Sequence, residues 1–93
     1  MDIILTRVFE FKKLKPFKRE VLRDEKAIQY RMYKLKKGLE YSKYNIQTLM
    51  LIVTNEEEKW LRSTIFRLTG KKIMIKGKVE LPITCVKEVY YKY

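Results

Sequence analysis

Residues 46–54, IQTLMLIVT, contain the longest apolar run of the chain, Leu49 to Val53. A run this short, bounded by polar residues, predicts a central β-strand covered on both faces, or on one face and an edge. It is far below the ~20 apolar residues that a membrane-spanning helix requires. The amino-terminal residues also lack the basic and apolar regions of a secretory signal. We therefore expect a soluble protein of the cytoplasm, or of the host cytoplasm if the chain is viral, with a reduced cysteine.

The segment before this run predicts a strand, a basic connection and a helix. Residues 3–11 are β-branched and aromatic with polar residues between them, which is typical of a strand. Residues 12–16 are a basic connection that ends at a proline and favours a turn. From residue 17 to residue 37 the apolar spacing becomes helical, with an inner stripe of Ile28, Met32, Leu35 and Leu39.

The ends of this first helix carry different signals. Gly38 follows three lysines and is a natural C-cap. Asp24 is a possible N-cap, so a start at Lys18 and a start at Glu25 both stay open.

The segment after the run predicts a second helix and two strands. Asn55 and the three glutamates that follow it fit a capping box, and Leu61, Ile65 and Leu68 fit an inner helical stripe that ends at Gly70. Residues 73–81 alternate between apolar and charged, which predicts one long strand bent at Gly77 or two arms that turn there. Residues 84–93 predict a final strand after Pro82.

These elements predict one small basic α+β domain over residues 1–93. The order is β-α-β-α-β-β. We expect a two-layer sandwich with both helices packed on one face of a four-stranded mixed sheet. Methionines 32, 50 and 74 would fill the core, and Cys85 would be a small buried residue.

The composition excludes several classes of chemistry. The chain has no His and one Cys, which removes most metal sites, the Ser-His and Cys-His nucleophiles and an internal disulfide. We therefore expect no metal, no cofactor and no enzymatic activity. Sixteen lysines with only two Asn and two Gln point to a thermophilic source or to an AT-rich genome.

The net charge of +11 is concentrated in two segments. Residues 12–43 carry 12 basic and 4 acidic side chains, a net of +8, and residues 71–93 carry 6 and 2, a net of +4. Residues 1–11 carry −1 and residues 44–70 carry zero. Positive clusters attract polyanions by counterion release, although lysines are also the ordinary solvated surface of a small protein. We expect the two basic segments to converge on one surface that seats a sugar-phosphate backbone.

The predicted phosphate contacts lie on the basic connection, on the first helix away from its apolar stripe, and on the hairpin around Gly77. They are Lys12, Lys13, Lys15, Arg23, Lys26, Tyr30, Lys34, Lys37, Lys72, Lys76 and Lys78. Seven tyrosines are interleaved with lysines, and tyrosine can stack on unpaired bases, although most tyrosines in small sheets are half-buried structural residues. Trp60 is assigned to the edge of the core or to an oligomer contact. The sequence therefore predicts a DNA- or RNA-binding protein, and a homodimer is plausible.

The element order, the size and the basic terminal hairpin resemble the Alba family of small archaeal chromatin and RNA-binding proteins. The resemblance is one of layout and implies that the hairpin around Lys76 and Lys78 reaches along the nucleic acid. Residues 9–22 are similar to the opening of RelE-type mRNA-cleaving toxins, which implies the alternative of a His-free ribonuclease using Arg67 and Tyr93. A third alternative is a small viral or mobile-element protein that binds an acidic host protein.

Overall fold

The computed structural model describes residues 5–6, 19–55 and 57–92, and these contain one α-helix and seven strands. The predicted α+β class is confirmed. In chain order the elements are β1 (Leu5–Thr6), α1 (Glu25–Tyr41), β2 (Gln47–Val53), β3 (Glu58–Ser63), β4 (Ile65–Leu68), β5 (Lys72–Ile75), β6 (Val79–Pro82) and β7 (Val86–Lys92). Short 3-10 turns follow α1 and precede β7, at Ser42–Tyr44 and Ile83–Cys85. No described helix is both long enough and apolar enough to cross a membrane.

The strands form two sheets around the helix. The first sheet has the order β1-β3-β2-β7, in which the last three strands are antiparallel and the two-residue β1 pairs parallel to β3. The second sheet is antiparallel, with the order β4-β5-β6. The helix contacts β7 and β2 of the first sheet and β4 of the second. The predicted packing of two helices on one face of a single sheet is therefore wrong.

The core lies where α1 and the two sheets meet. The central position of residues 46–54 is confirmed, because β2 lies between β3 and β7 and directs Met50 and Ile52 into the core. Cys85 is fully buried, as predicted, and its burial raises the pKa of the thiol to about 12. The remaining buried apolar side chains of this core are Leu35, Leu61, Ile65, Ile73, Ile75, Val79, Leu81, Ile83, Val86 and Val89.

The helix begins at the later of the two predicted starts. The Asp24 carboxylate accepts a hydrogen bond from the backbone N–H of Lys26 at 3.0 Å, which caps the first turn. The C-cap prediction at Gly38 is wrong, because the helix continues to Tyr41 and Leu39 packs against the core. The chain leaves the helical region at Asn45, which adopts a left-handed φ of 61° after the 3-10 turn. Asparagine tolerates that conformation better than most residues.

The predicted second helix is wrong, because the described residues 57–70 form the end of a hairpin and two strands instead. Thr54 closes the hairpin, because its N–H and its hydroxyl both donate to the Glu57 carbonyl, at 2.8 and 2.7 Å. Within β3, Leu61 and Ser63 are buried and Arg62 between them is exposed, which is the period of two that a strand requires, and the buried Ile65 begins β4. A spacing of four, as between Leu61 and Ile65, fits both a helix and a strand, and this overlap caused the error.

The hairpin at Gly77 has two arms, which confirms the second of the alternatives left open. Ile75 pairs with Val79, and the turn between them contains two left-handed residues, Gly77 at φ 84° and Lys78 at φ 59°. The final strand, β7, covers most of the predicted range 84–93. The basic connection at residues 12–16 lies outside the described residues, as does most of the first predicted strand.

Candidate nucleic-acid interface

One flank of α1 is fastened to β7 through Lys34. The Lys34 ammonium donates a hydrogen bond to the Val89 carbonyl at 3.0 Å, and the Tyr91 hydroxyl donates to the Lys34 carbonyl at 2.6 Å. Tyr41, at the end of the helix, meets the Tyr91 ring edge-on at 5.0 Å. The flank of the helix and the exposed end of β7 therefore form one continuous surface.

The Lys34 ammonium also contacts two tyrosine rings, one from each element. Its Nζ lies 4.8 Å from the centroid of the Tyr30 ring and 5.1 Å from that of the Tyr90 ring. Each cation–π contact at an exposed site contributes about 0.5–1 kcal/mol. Lys34 therefore favours an arrangement in which Tyr30 of the helix and Tyr90 of the sheet lie on either side of its ammonium group.

The row of rings continues at both ends. Tyr33 stacks beside Tyr30, with centroids 6.2 Å apart and planes 15° from parallel. Trp60 tilts against Tyr90, with centroids 5.9 Å apart. The row is called here the aromatic line and is defined by Tyr33, Tyr30, Tyr90 and Trp60, with Lys34 between the second and third rings. The three tyrosines are exposed, at 56%, 59% and 46%, and Trp60 is half-buried.

Strand register places the sheet part of the line on the outer face of the first sheet. Leu51 pairs with Trp60, and Leu49 pairs with Tyr90 on one side and with Arg62 on the other. Directly paired residues point to the same face, and residues two apart along a strand do so as well. Arg62 is exposed and therefore stands on the same face as Tyr90 and Trp60.

Cations and carboxylates are both sparse along the line. The Lys37 ammonium lies 5.8 Å from the centroid of the Tyr33 ring and forms an ion pair with the Glu40 carboxylate at 3.8 Å. The Tyr90 hydroxyl lies 3.4 Å from the Glu88 carboxylate, whose charge raises the pKa of that tyrosine. The surface is therefore aromatic first and positively charged second.

Among the described residues, the two basic segments meet away from the aromatic line, because Arg31 lines the same cleft as Lys72 and Lys43 lines the same depression as Lys76. Lys72 lines a cleft with Met32, and Lys76 lines a second depression with Leu39. With 3.6 residues per turn, Met32 is about 200° around the helix axis from Lys34, and Leu39 is about 200° from Lys37. The hairpin lysines therefore lie across α1 from the aromatic line, and Lys72 is 3.7 Å from the Glu80 carboxylate.

The predicted site residues thus fall into three groups. Tyr30, Lys34 and Lys37 belong to the aromatic line or contact it, and Lys26 lies one turn before Tyr30. Arg23 is exposed just before the helix. The hairpin group, Lys72, Lys76 and Lys78, is exposed on the other flank, and Lys12, Lys13 and Lys15 lie outside the described residues. Their binding to nucleic acid stays a prediction.

Sequence reasoning missed Tyr33, Tyr90, Trp60 and Arg62 as site residues. The prediction of a helix at residues 55–70 placed Trp60 and Arg62 away from the final strand. The side-chain polarity of residues 59–63 does not alternate, so the placement of Trp60 and Arg62 on the face opposite Leu61 follows only from the strand in the structure.

No group of three or more metal-ligating side chains is placed to hold an ion in the described part of the chain. Arg67, a candidate in the ribonuclease alternative, is exposed on β4, and Tyr93 lies outside the described residues. No protein-family model, curated protein or solved structure matches this chain.

Proposed function

We propose that this protein is a non-enzymatic nucleic-acid-binding protein whose contact surface is the aromatic line. The observation that carries the proposal is the fixed row of exposed rings, with Lys34 braced between Tyr30 and Tyr90. Large exposed aromatic side chains are costly to leave in water without a purpose, and a contiguous group of them marks an interaction surface.

The charge of the chain supports a polyanionic partner. A net charge of +11 attracts nucleic acid over long distances and raises its association rate. Stacking of a base on an aromatic ring then contributes about 1–3 kcal/mol per base. The two terms act at different ranges, so the charge brings the ligand to the protein and the rings retain it.

A titration with labelled oligonucleotides tests the proposal. Trp60 is the one tryptophan of the chain and stands in the line, so its emission reports contact at the site itself. We expect DNA or RNA to change this emission and the anisotropy of the label at the same concentrations. Tyr30→Ala and Tyr90→Ala should each weaken binding by about 1 kcal/mol or more.

The matched control is Tyr44→Ala. Tyr44 is 73% exposed on the 3-10 turn after α1 and has no ring contact with the aromatic line among the described residues. Its removal should leave affinity unchanged. The double substitution of Lys76 and Lys78 by Gln removes two positive charges outside the aromatic line. It should lower the affinity only through the weaker long-range attraction between protein and nucleic acid.

Two results would refute the proposal. One is the absence of any binding to DNA or RNA at low salt, which would favour the acidic host protein as partner. The other is oligonucleotide binding that Tyr30→Ala and Tyr90→Ala leave unchanged. Intact oligonucleotide after long incubation is expected, and cleavage would favour the ribonuclease alternative instead.

A further inference from the structure

Resting on the proposed function, we propose that the ligand of the aromatic line is single-stranded nucleic acid, held by stacking of its unpaired bases on the rings. The inference concerns the same surface and names the form of nucleic acid that the surface fits. Three observations carry it: the accessibility of the rings, the scarcity of free cations and the role of Lys34.

The tyrosine rings of the line are partly exposed, and a base would stack on the ring surface that Lys34 and the neighbouring rings leave uncovered. Tyr33, Tyr30 and Tyr90 are each about half exposed, and neighbouring centroids along the line are 5.9–6.2 Å apart where rings meet directly. A duplex keeps its base faces inside the stack and offers only base edges and phosphates. Tyrosine and tryptophan faces find partners only where bases are unpaired.

Within the part of the chain that the structure describes, the free cations near the line are fewer than a duplex backbone would engage. Lys34 is engaged by the Val89 carbonyl and two rings, and Lys37 lies beside Glu40. Three cations are exposed: Arg62 and Lys92 on the sheet face that carries Tyr90, and Lys26 one turn before Tyr30. About three phosphate contacts are then available, whereas proteins that bind duplex DNA through its backbone commonly make 6–10.

Lys34 acts as a positioning residue for the rings. Its ammonium lies between Tyr30 and Tyr90 and is half-buried, so its charge fixes two ring planes instead of facing a phosphate. Lys34→Met keeps an unbranched apolar stem one atom shorter than lysine and removes the ammonium group with its charge. We expect it to weaken single-strand binding at least fivefold without changing the salt slope, because no phosphate contact is lost.

The experiment compares a mixed-sequence single strand of about 12 nucleotides with the duplex of the same sequence, a length within the range that small binding domains occupy. Anisotropy is measured with the full chain from about 50 to 200 mM salt. Three contacts at a slope of about −0.7 each predict a loss of about 20-fold in single-strand affinity over this range. We expect the single strand to bind at least tenfold more tightly than the duplex at the higher salt. Arg62→Gln should reduce the slope by about 0.7, in contrast to Lys34→Met.

The outcomes separate this inference from the proposed function. Equal or tighter duplex binding, with a loss of about a thousandfold over the salt range, overturns the inference and leaves nucleic-acid binding standing. A salt slope that falls with Lys34→Met makes Lys34 a phosphate ligand and overturns the positioning argument. No binding to either form overturns both proposals. Circular dichroism of each variant separates a local effect from loss of the fold.

Discussion

Adding one methyl group at Gly38 is expected to destabilise the fold, although alanine is the better helix former. Gly38 lies buried inside α1, where the helix passes closest to β2 and β4. An ideal Cβ at this position would lie 2.5 Å from Thr48 Oγ1 and 3.1 Å from Ile65 Cδ1. The first distance is well inside van der Waals contact, so either the helix or the strand must move.

The magnitude follows from two opposing effects. Replacing glycine by alanine within a helix stabilises it by about 1 kcal/mol. Overpacking a close-packed core costs about 1–3 kcal/mol, and Thr48 is fully buried and β-branched, so its side chain has little room to turn away. We expect Gly38→Ala to lower the free energy of unfolding by up to about 2 kcal/mol. That corresponds to a fall in Tm of up to roughly 15 °C for a domain of this size.

Urea unfolding, followed by Trp60 emission and far-ultraviolet circular dichroism, measures this change. Gly70→Ala is the matched control, because Gly70 is exposed and an added Cβ there meets nothing within 4 Å. In the Thr48→Ala background, Gly38→Ala should lower the free energy of unfolding by no more than half as much as it does in the native chain. The steric reasoning is refuted if Gly38→Ala stabilises the protein, or if the two substitutions are additive.

Three further predictions concern titration, reactivity and backbone strain. The hydrogen bonds that Arg31 donates to Glu20 hold the pKa of Glu20 below its ordinary value of 4.5. The pair therefore stabilises the fold above pH 4.5, and this stabilisation is lost as the pH falls through the lowered pKa. The midpoint of urea unfolding should show this loss in the native chain and not in Glu20→Gln. Cys85, with its pKa raised to about 12 by burial, should resist alkylation at neutral pH and react only when denaturant is added, and rapid native-state labelling would contradict its burial. Lys78 has a left-handed φ, which asparagine tolerates and valine does not. In thermal unfolding, Lys78→Asn should leave the stability unchanged or raise it by up to ~1 kcal/mol, and Lys78→Val should lower it. The reversed order of stabilities would contradict the strained turn.

The fold was predictable from sequence wherever a segment had one period and one plausible partner. Residues 46–54 could be only a buried strand, and residues 73–81 alternated cleanly around Gly77. The segment at residues 55–70 carried a helix-capping pattern and apolar residues spaced four apart, and that spacing is compatible with both a helix and a strand. Tertiary structure decided between a helix and a strand. As a strand, β3 forms the backbone hydrogen bonds with β2 on the side of β2 that faces away from β7.

The site was predictable only on its helical half. Spacings of three and four put Tyr30, Lys34 and Lys37 on one flank of α1 from sequence alone. The other half depends on strand register, because Trp60 and Tyr90 are 30 positions apart and meet only across β2. Charge was the more visible feature of the sequence, and it drew attention to the hairpin lysines, which the fold places on the other side of the helix.

The separation of charge from rings has a kinetic consequence for how such a surface would work. Lysines spread over both flanks of α1 contribute to the long-range field whatever direction they face, so they all raise the rate of encounter with a polyanion. Retention depends on short-range contact, which the proposed function assigns to the exposed rings of the aromatic line. Salt therefore acts mainly on association, while substitutions in the aromatic line act mainly on dissociation, as is general for steered complexes with short-range anchors. A single basic patch that both attracted and held its ligand would couple the association rate to the dissociation rate. Here the hairpin lysines and the aromatic line lie on opposite flanks of one helix, so the two rates can change independently.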